Sequence, residues 1–171
     1  MGIIAPQRYV TSIDVVDLDD LKRCGVRGLL LDRDNTVIPR TTGVAPREVD
    51  AWMRRARELG FKVCFVSNND YERVEPTARL FEAGLVAKAH KPRPGGLLQA
   101  ARDMGLTPQE CFVIGDQLYT DIFGAKLAHM RHALVVPQCS RDLWYSPPMR
   151  AMERMLLHGL KPASTWEPLA C

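Results

Sequence analysis

Gly28-Leu-Leu-Leu-Asp-Arg-Asp-Asn-Thr36 decides the fold. Three consecutive leucines with no polar alternation fit a strand covered on both faces, which is a parallel-sheet pattern. The same design recurs outward from this point. Lys62-Val-Cys-Phe-Val66 runs into Ser67-Asn68-Asn69, Cys111-Phe-Val-Ile114 runs into Gly115-Asp116, and His132-Ala-Leu-Val-Val136 stops at Pro137. A weaker run, Leu85 to Lys88, precedes His90-Lys91. Helical patterns lie between these runs. Pro46 to Leu59 places Val49, Trp52, Met53 and Ala56 on one face with Gly60 after it. Pro94 to Met104 repeats the scheme with Leu97, Ala100, Ala101 and Met104, and Gly105 follows. Tyr71 to Ala83 ends at Gly84, although Pro76 obscures where that helix starts. Thr120 is placed to cap a helix reaching Ala128. Strands alternating with helices give an α/β fold with a mostly parallel, five-stranded sheet and helices on both faces.

Composition agrees with one ordinary globular domain. The chain has 171 residues, 46% of them hydrophobic and 25% charged, which excludes disordered, fibrous and disulfide-framework classes. The longest uncharged stretch, 132–140, is far short of the roughly 20 apolar residues of a membrane-spanning helix. The amino terminus lacks the apolar run of a secretory signal. Pro6 stands where a myristoylation signal carries Ser or Thr. Five cysteines without a CxxC pair read as reduced and structural, with Cys171 a mere tail, in a cytoplasmic protein. A net charge of +3 is too small to make nucleic acid the expected partner. Lys88 to Arg102 is nevertheless wholly basic in its charges.

In parallel sheets ligands bind beyond the carboxyl ends of the strands, and polar residues collect there. Asp32 and Asp34 follow the first run, Ser67 and Asn68 the second, Lys91 the third, and Asp116 the fourth, with Asp121 shortly after. Strand alternation turns Asp32 and Asp34 toward one crevice and Arg33 away from it. Several carboxylates in one crevice repel unless a cation intervenes, and all-oxygen ligands select Mg²⁺. A cation beside a lysine and a hydroxyl suits a phosphate group. In that chemistry Asp32 attacks phosphorus, Asp34 serves as acid and base, and Lys91 neutralises charge.

The succession DRDNT, VSNN, HKP and GDQLYTD resembles the four motifs of the haloacid-dehalogenase-like phosphohydrolases, subclass IIIA, and within it the YqeG-like phosphatases. The resemblance spans about Leu21 to Val136. It implies a Rossmann-like core without a cap domain, since segments 33–66 and 68–90 each hold only one helix and one strand. It further implies Asp32 as nucleophile and Asp34 as acid/base with its carbonyl on Mg²⁺. Asp116 and Asp121 complete the metal site, and Thr36, Ser67, Asn68 and Lys91 bind substrate. Arg33 replaces the more usual aliphatic residue.

Without a cap, the crevice needs either an oligomer or a large substrate. YqeG-like relatives include phosphatases of phosphatidylglycerophosphate, so the resemblance implies a membrane phospholipid headgroup as phosphate ester, with peripheral contact on the inner membrane face. Arg40, on the expected flap, suits a doubly phosphorylated headgroup. The alternatives are a phosphatase of soluble sugar or nucleotide phosphates, or a non-catalytic partner protein with this fold. An aromatic and basic tail at about 141–160 carries a helix from Pro148 to His158 with Met149, Met152, Met155 and Leu156 on one side. That stripe suits packing on the sheet or on a second copy, or contact with a membrane surface.

Overall fold

A computed structural model describes residues 5–139 and 155–171. Six strands form one parallel sheet: β1 (Arg8–Val10), β2 (Gly28–Leu31), β3 (Lys62–Val66), β4 (Gly84–Val86), β5 (Cys111–Gly115) and β6 (Arg131–Val135), in the order β1-β6-β5-β2-β3-β4. Five helices, α1 (Leu18–Arg23), α2 (Arg47–Glu58), α3 (Tyr71–Leu80), α4 (Gly95–Asp103) and α5 (Phe123–Leu127), connect them. Side chains alternate across each strand, so the apolar residues divide into two cores. Leu29 and Leu31 join Phe65, Phe112 and Ile114 under α1, α2 and α3, with Met53 and Trp52 as the α2 contribution. Leu30, Cys64, Val66 and Val113 face the opposite way, toward Leu97 and Ala101 of α4 and Ala125 of α5. Covering both faces explains why β2 is buried at every position.

The expectation of five strands is corrected to six. The added strand, β1, lies at the sheet edge beside β6. The sheet thus reaches outside the span 21–136. The chain's last described segment covers the open edge of β1: Thr11 N donates to Ala163 O at 3.0 Å, and Ala163 N to Tyr9 O at 2.9 Å. Pairing removes an edge that would otherwise invite association.

Thr120 does not cap a helix. Its hydroxyl donates to Gln117 Oε1 at 2.7 Å, within a π-helical turn, Leu118–Ile122, that leads into α5. Pro76 lies inside α3, where it lacks the N–H that would otherwise reach the carbonyl of Glu72. Residues 148–154 of the expected tail helix lie outside the described residues, as do Trp144 and Tyr145. Of its stripe, Met155 and Leu156 are exposed, and it is Leu157 that packs against Leu118, Ile122 and Leu134.

The expectation that all cysteines are reduced is corrected too, because Cys24 and Cys171 are paired in a disulfide. Cys64 and Cys111 are free and buried, and burial pushes their thiols up to about 12 and about 11. Asp20 anchors the same tail. It accepts from Trp166 Nε1 at 2.7 Å and from Leu169 N at 2.8 Å, and it pairs with Arg23. Burial alone would raise the Asp20 carboxyl, but these donors hold it below its usual value. This contribution to stability is therefore present above the ordinary carboxylate range and is lost as pH falls through the lowered pKa. Asp20→Ala leaves two donors without an acceptor and should cost about 1–3 kcal/mol. In reducing buffer, thermal denaturation and limited proteolysis should show a lower Tm and a tail cleaved ahead of the core.

Candidate active site

Register brings the site together before any side chain is considered. Leu31 of β2 pairs with Phe65 of β3 and with Ile114 of β5. Asp32, Ser67 and Asp116, each one or two residues past those positions, consequently emerge at the same end of the sheet. Strand order reverses direction between β2 and β5, where open α/β sheets bind their ligands. Asp32 N still donates to Ile114 O at 2.9 Å, and then the chain turns sharply. Asn35 adopts φ 61°, a left-handed conformation that asparagine tolerates better than most residues. Its N–H donates to Ile38 O at 2.8 Å.

Lys91 reaches the site from the loop after β4. Asn68 holds that loop through both ends of its side-chain amide, with Nδ2 donating to Lys91 O at 3.0 Å and Oδ1 accepting from Lys91 N at 2.7 Å. The buried ammonium then spans two carboxylates, Asp32 Oδ1 at 2.7 Å and Asp121 Oδ1 at 2.6 Å. Burial alone would lower the Lys91 pKa, but Asp121 and Asp32 outweigh it and raise it. Burial pushes the Asp32 carboxyl up to about 6, with Lys91 opposing the rise and Asp121 and Asp34 adding to it.

Asp32, Asp116 and Asp121 each offer an oxygen within 4.8 Å of the others. Three carboxylate donors and no nitrogen or sulfur suit a hard divalent cation. Gln117 N donates to Asp121 Oδ2 at 3.1 Å, so this aspartate both closes the π-helical turn and enters the crevice. Thr36 is fully buried and donates to Asp116 Oδ1 at 3.4 Å, behind the pocket rather than in its wall. Ser67 is buried beside the opening and accepts from Asn69 N at 3.2 Å. The opening is a pocket of about 400 Å³ bordered by Asp32, Ser67, Lys91, Arg40, Arg73 and Gln117, among others.

Asp34 borders the same pocket but not the carboxylate cluster. Its carboxylate stands among Arg33, Arg73 at 3.0 Å, Arg40 at 3.5 Å and Asn69 Nδ2 at 3.1 Å. Arg33 therefore does not turn away from the site, contrary to expectation. It pairs with Asp34 Oδ1 and donates from Nε to Thr77 Oγ1 at 2.8 Å. Strand alternation stopped applying because the chain leaves the strand after Asp32. Arg73 and Asn69 were not foreseen as site residues. The signal for Arg73 was its place in the first turn of α3, directly after the SNN stretch, but Pro76 hid the start of that helix.

The model of the haloacid dehalogenase-like hydrolase family matches residues 33–129. The chain belongs to that family. It is 34% identical over 156 residues to "Probable phosphatase YqeG" of Bacillus subtilis, covering 91% of each chain. It is 25% identical over 179 residues to "Phosphatidylglycerophosphate phosphatase 1, chloroplastic/mitochondrial" of Arabidopsis thaliana, covering 93% of this chain and 50% of that one. Among solved structures, an uncharacterized protein from Listeria monocytogenes superposes with a TM-score of 0.55 at 18% identity, over 77% of this chain and 97% of that one. A phosphatase of the same family from Thermococcus onnurineus gives 0.50 at 20% identity, over 67% and 59%. These likenesses agree on the fold, and this chain is a phosphatase of the family. Among the described residues no helix is long and apolar enough to cross a membrane.

Gly115 offers a direct check on the geometry. A Cβ there would stand 2.2 Å from Asp121 Oδ2, and Asp121 is pinned by Lys91 and Gln117. Gly115→Ala should displace Asp121 and lower phosphatase activity by about 100-fold, the scale of a 1 Å misplacement, while circular dichroism stays native.

Proposed function

We propose that the chain is a Mg²⁺-dependent phosphomonoester hydrolase that works through an aspartyl-phosphate on Asp32 and dephosphorylates phosphatidylglycerophosphate. The observation that carries the chemistry is Asp32 at the end of the central strand, held by a buried lysine and opening into the pocket. In the first step an Asp32 oxygen attacks phosphorus, the bond to the substrate oxygen breaks, and Asp34 gives its proton to the leaving alkoxide. In the second, water attacks the phosphorus of the acyl phosphate and Asp34 takes its proton. The bond to Asp32 then breaks, releasing phosphate and the free carboxylate. For this Asp34 turns from its arginines toward the leaving oxygen.

Mg²⁺ held by Asp32, Asp116 and Asp121, with the Asp34 carbonyl, supplies positive charge against the phosphate oxygens. Lys91 adds a fixed ammonium, and the Ser67 hydroxyl donates to a phosphate oxygen. Asn68 positions Lys91, and Thr36 positions Asp116. The same proposal takes residues 1–171 as one capless domain. Between Asp32 and Ser67 the chain forms a loop, α2 and β3; between Ser67 and Lys91 it forms α3 and β4. Among the described residues no domain covers the opening, which suits a headgroup presented at a membrane surface. The Arabidopsis relative, named for phosphatidylglycerophosphate, supports that substrate class.

The test is phosphate release with Mg²⁺ from phosphatidylglycerophosphate in mixed micelles beside a panel of soluble sugar and nucleotide phosphates. The lipid should be strongly preferred, and Asp32→Asn should lower turnover by at least about 10³-fold with an unchanged fold. Preference for a soluble ester contradicts the substrate. Full activity of Asp32→Asn contradicts the mechanism.

A further inference from the structure

We infer that Gln138 is a positioning residue of the phosphatase site, whose side-chain amide fixes Thr36 and through it the Asp116 carboxylate. The inference rests on the proposed metal site and adds a residue outside the pocket on which that site depends.

The case begins with the turn after β2. Asn35 and Thr36 are buried, and the chain has left the strand, so the ladder of the sheet no longer supplies their partners. A buried carbonyl needs a donor. Gln138 supplies one to each: its main-chain N–H donates to Asn35 O at 3.1 Å and its Nε2 to Thr36 O at 2.8 Å. Among the described residues no main-chain N–H donates to Thr36 O. The sheet order places β5 between β6 and β2. Gln138, beyond the end of β6, therefore reaches across the end of β5 to make these bonds, and Asp116 is the residue that follows β5.

Thr36 carries the effect onward. Its hydroxyl donates to Asp116 Oδ1 at 3.4 Å, near the longest separation at which such a bond holds, so an outward shift of the turn by roughly 0.3 Å loses it. Bonds from Asn35 N to Ile38 O and from Ile38 N to Arg33 O brace the turn from within. They hold its shape, whereas the Gln138 side chain sets its place against Asp116. Among the described residues Gln138 Oε1 is buried without a partner, which leaves Thr36 O as the side chain's bonding partner. Gln138 does not border the pocket, so it acts on the carboxylate and not on substrate.

The experiment compares the wild-type protein with Gln138→Met, which keeps the length and removes the donor, with Thr36→Val, which removes the hydroxyl, and with the two combined. Calorimetry reads Mg²⁺ binding to protein stripped of metal by a chelator, and p-nitrophenyl phosphate at saturating Mg²⁺ gives kcat and KM. Gln138→Met should weaken Mg²⁺ binding and lower kcat by about 10-fold each, the scale of groups that orient a metal ligand, with KM nearly unchanged. Thr36→Val should do at least as much, and the double variant should be no worse than Thr36→Val alone. Gln138→Glu, which keeps the shape and donates nothing when ionised, should match Gln138→Met and replaces it if that protein does not fold.

Unchanged Mg²⁺ binding and kcat in either folded Gln138 variant overturns the inference. So do effects that multiply in the double variant, because Gln138 then acts by a route other than Thr36. If the wild-type protein binds no Mg²⁺, the proposed metal site fails by itself. Hydrogen exchange then decides the role of Gln138: faster exchange of the Val37 and Ile38 amides, which donate to Arg33 O, in Gln138→Met supports it, and equal exchange overturns it.

Discussion

The ammonium of Lys91 between Asp32 and Asp121 is the contact on which the rest of the site depends. Two carboxylates cannot remain ionised together in a buried crevice without a cation between them, and an isolated buried ammonium is equally unfavourable. Each makes the other tolerable. The fold does much to hold this arrangement. Asn68 fixes the Lys91 main chain, Gln117 N fixes Asp121, and the absent side chain at Gly115 leaves space for Asp121 to enter.

Around that contact the pocket divides by charge. Asp32, Asp116 and Asp121 against Lys91 leave two negative charges, the complement of a divalent cation. On the other side Arg33, Arg40 and Arg73 gather around the Asp34 carboxylate. Both halves adjoin a single opening. The asymmetry explains how Asp32 and Asp34, two positions apart, take opposite environments. Asp32 continues the sheet register, whereas Asp34 enters the turn built on Asn35.

Sheet and crevice were legible in the sequence where local pattern decides structure. The runs at 28–31 and 62–66 match β2 and β3 residue for residue, because strands covered on both faces are apolar throughout. Asp32, Ser67 and Asp116 stand at one end of the sheet for the related reason that each follows such a strand, whereas Lys91 arrives on the loop after the weaker edge strand β4. What escaped depends on contacts distant in sequence. β1 is three residues long and is recognised only by its pairing with β6 and with the tail at Ala163. Cys171 read as a mere tail and Trp166 drew no reading, yet they meet Cys24 and Asp20. Arg33 was assigned the wrong direction because alternation was extended past the strand's last residue. Arg73 was missed because its helix begins ahead of a proline.

The most direct measurement is a double-mutant cycle between Lys91 and Asp121, read as unfolding free energy by chemical denaturation without divalent cation. Lys91→Met alone leaves buried carboxylates facing one another and should cost about 3–5 kcal/mol. Asp121→Asn in that background should recover a substantial part, giving a coupling energy of about 2 kcal/mol or more. Additive effects of the two substitutions would contradict the account, because Lys91 and Asp121 would then be neighbours in the crevice without holding each other there.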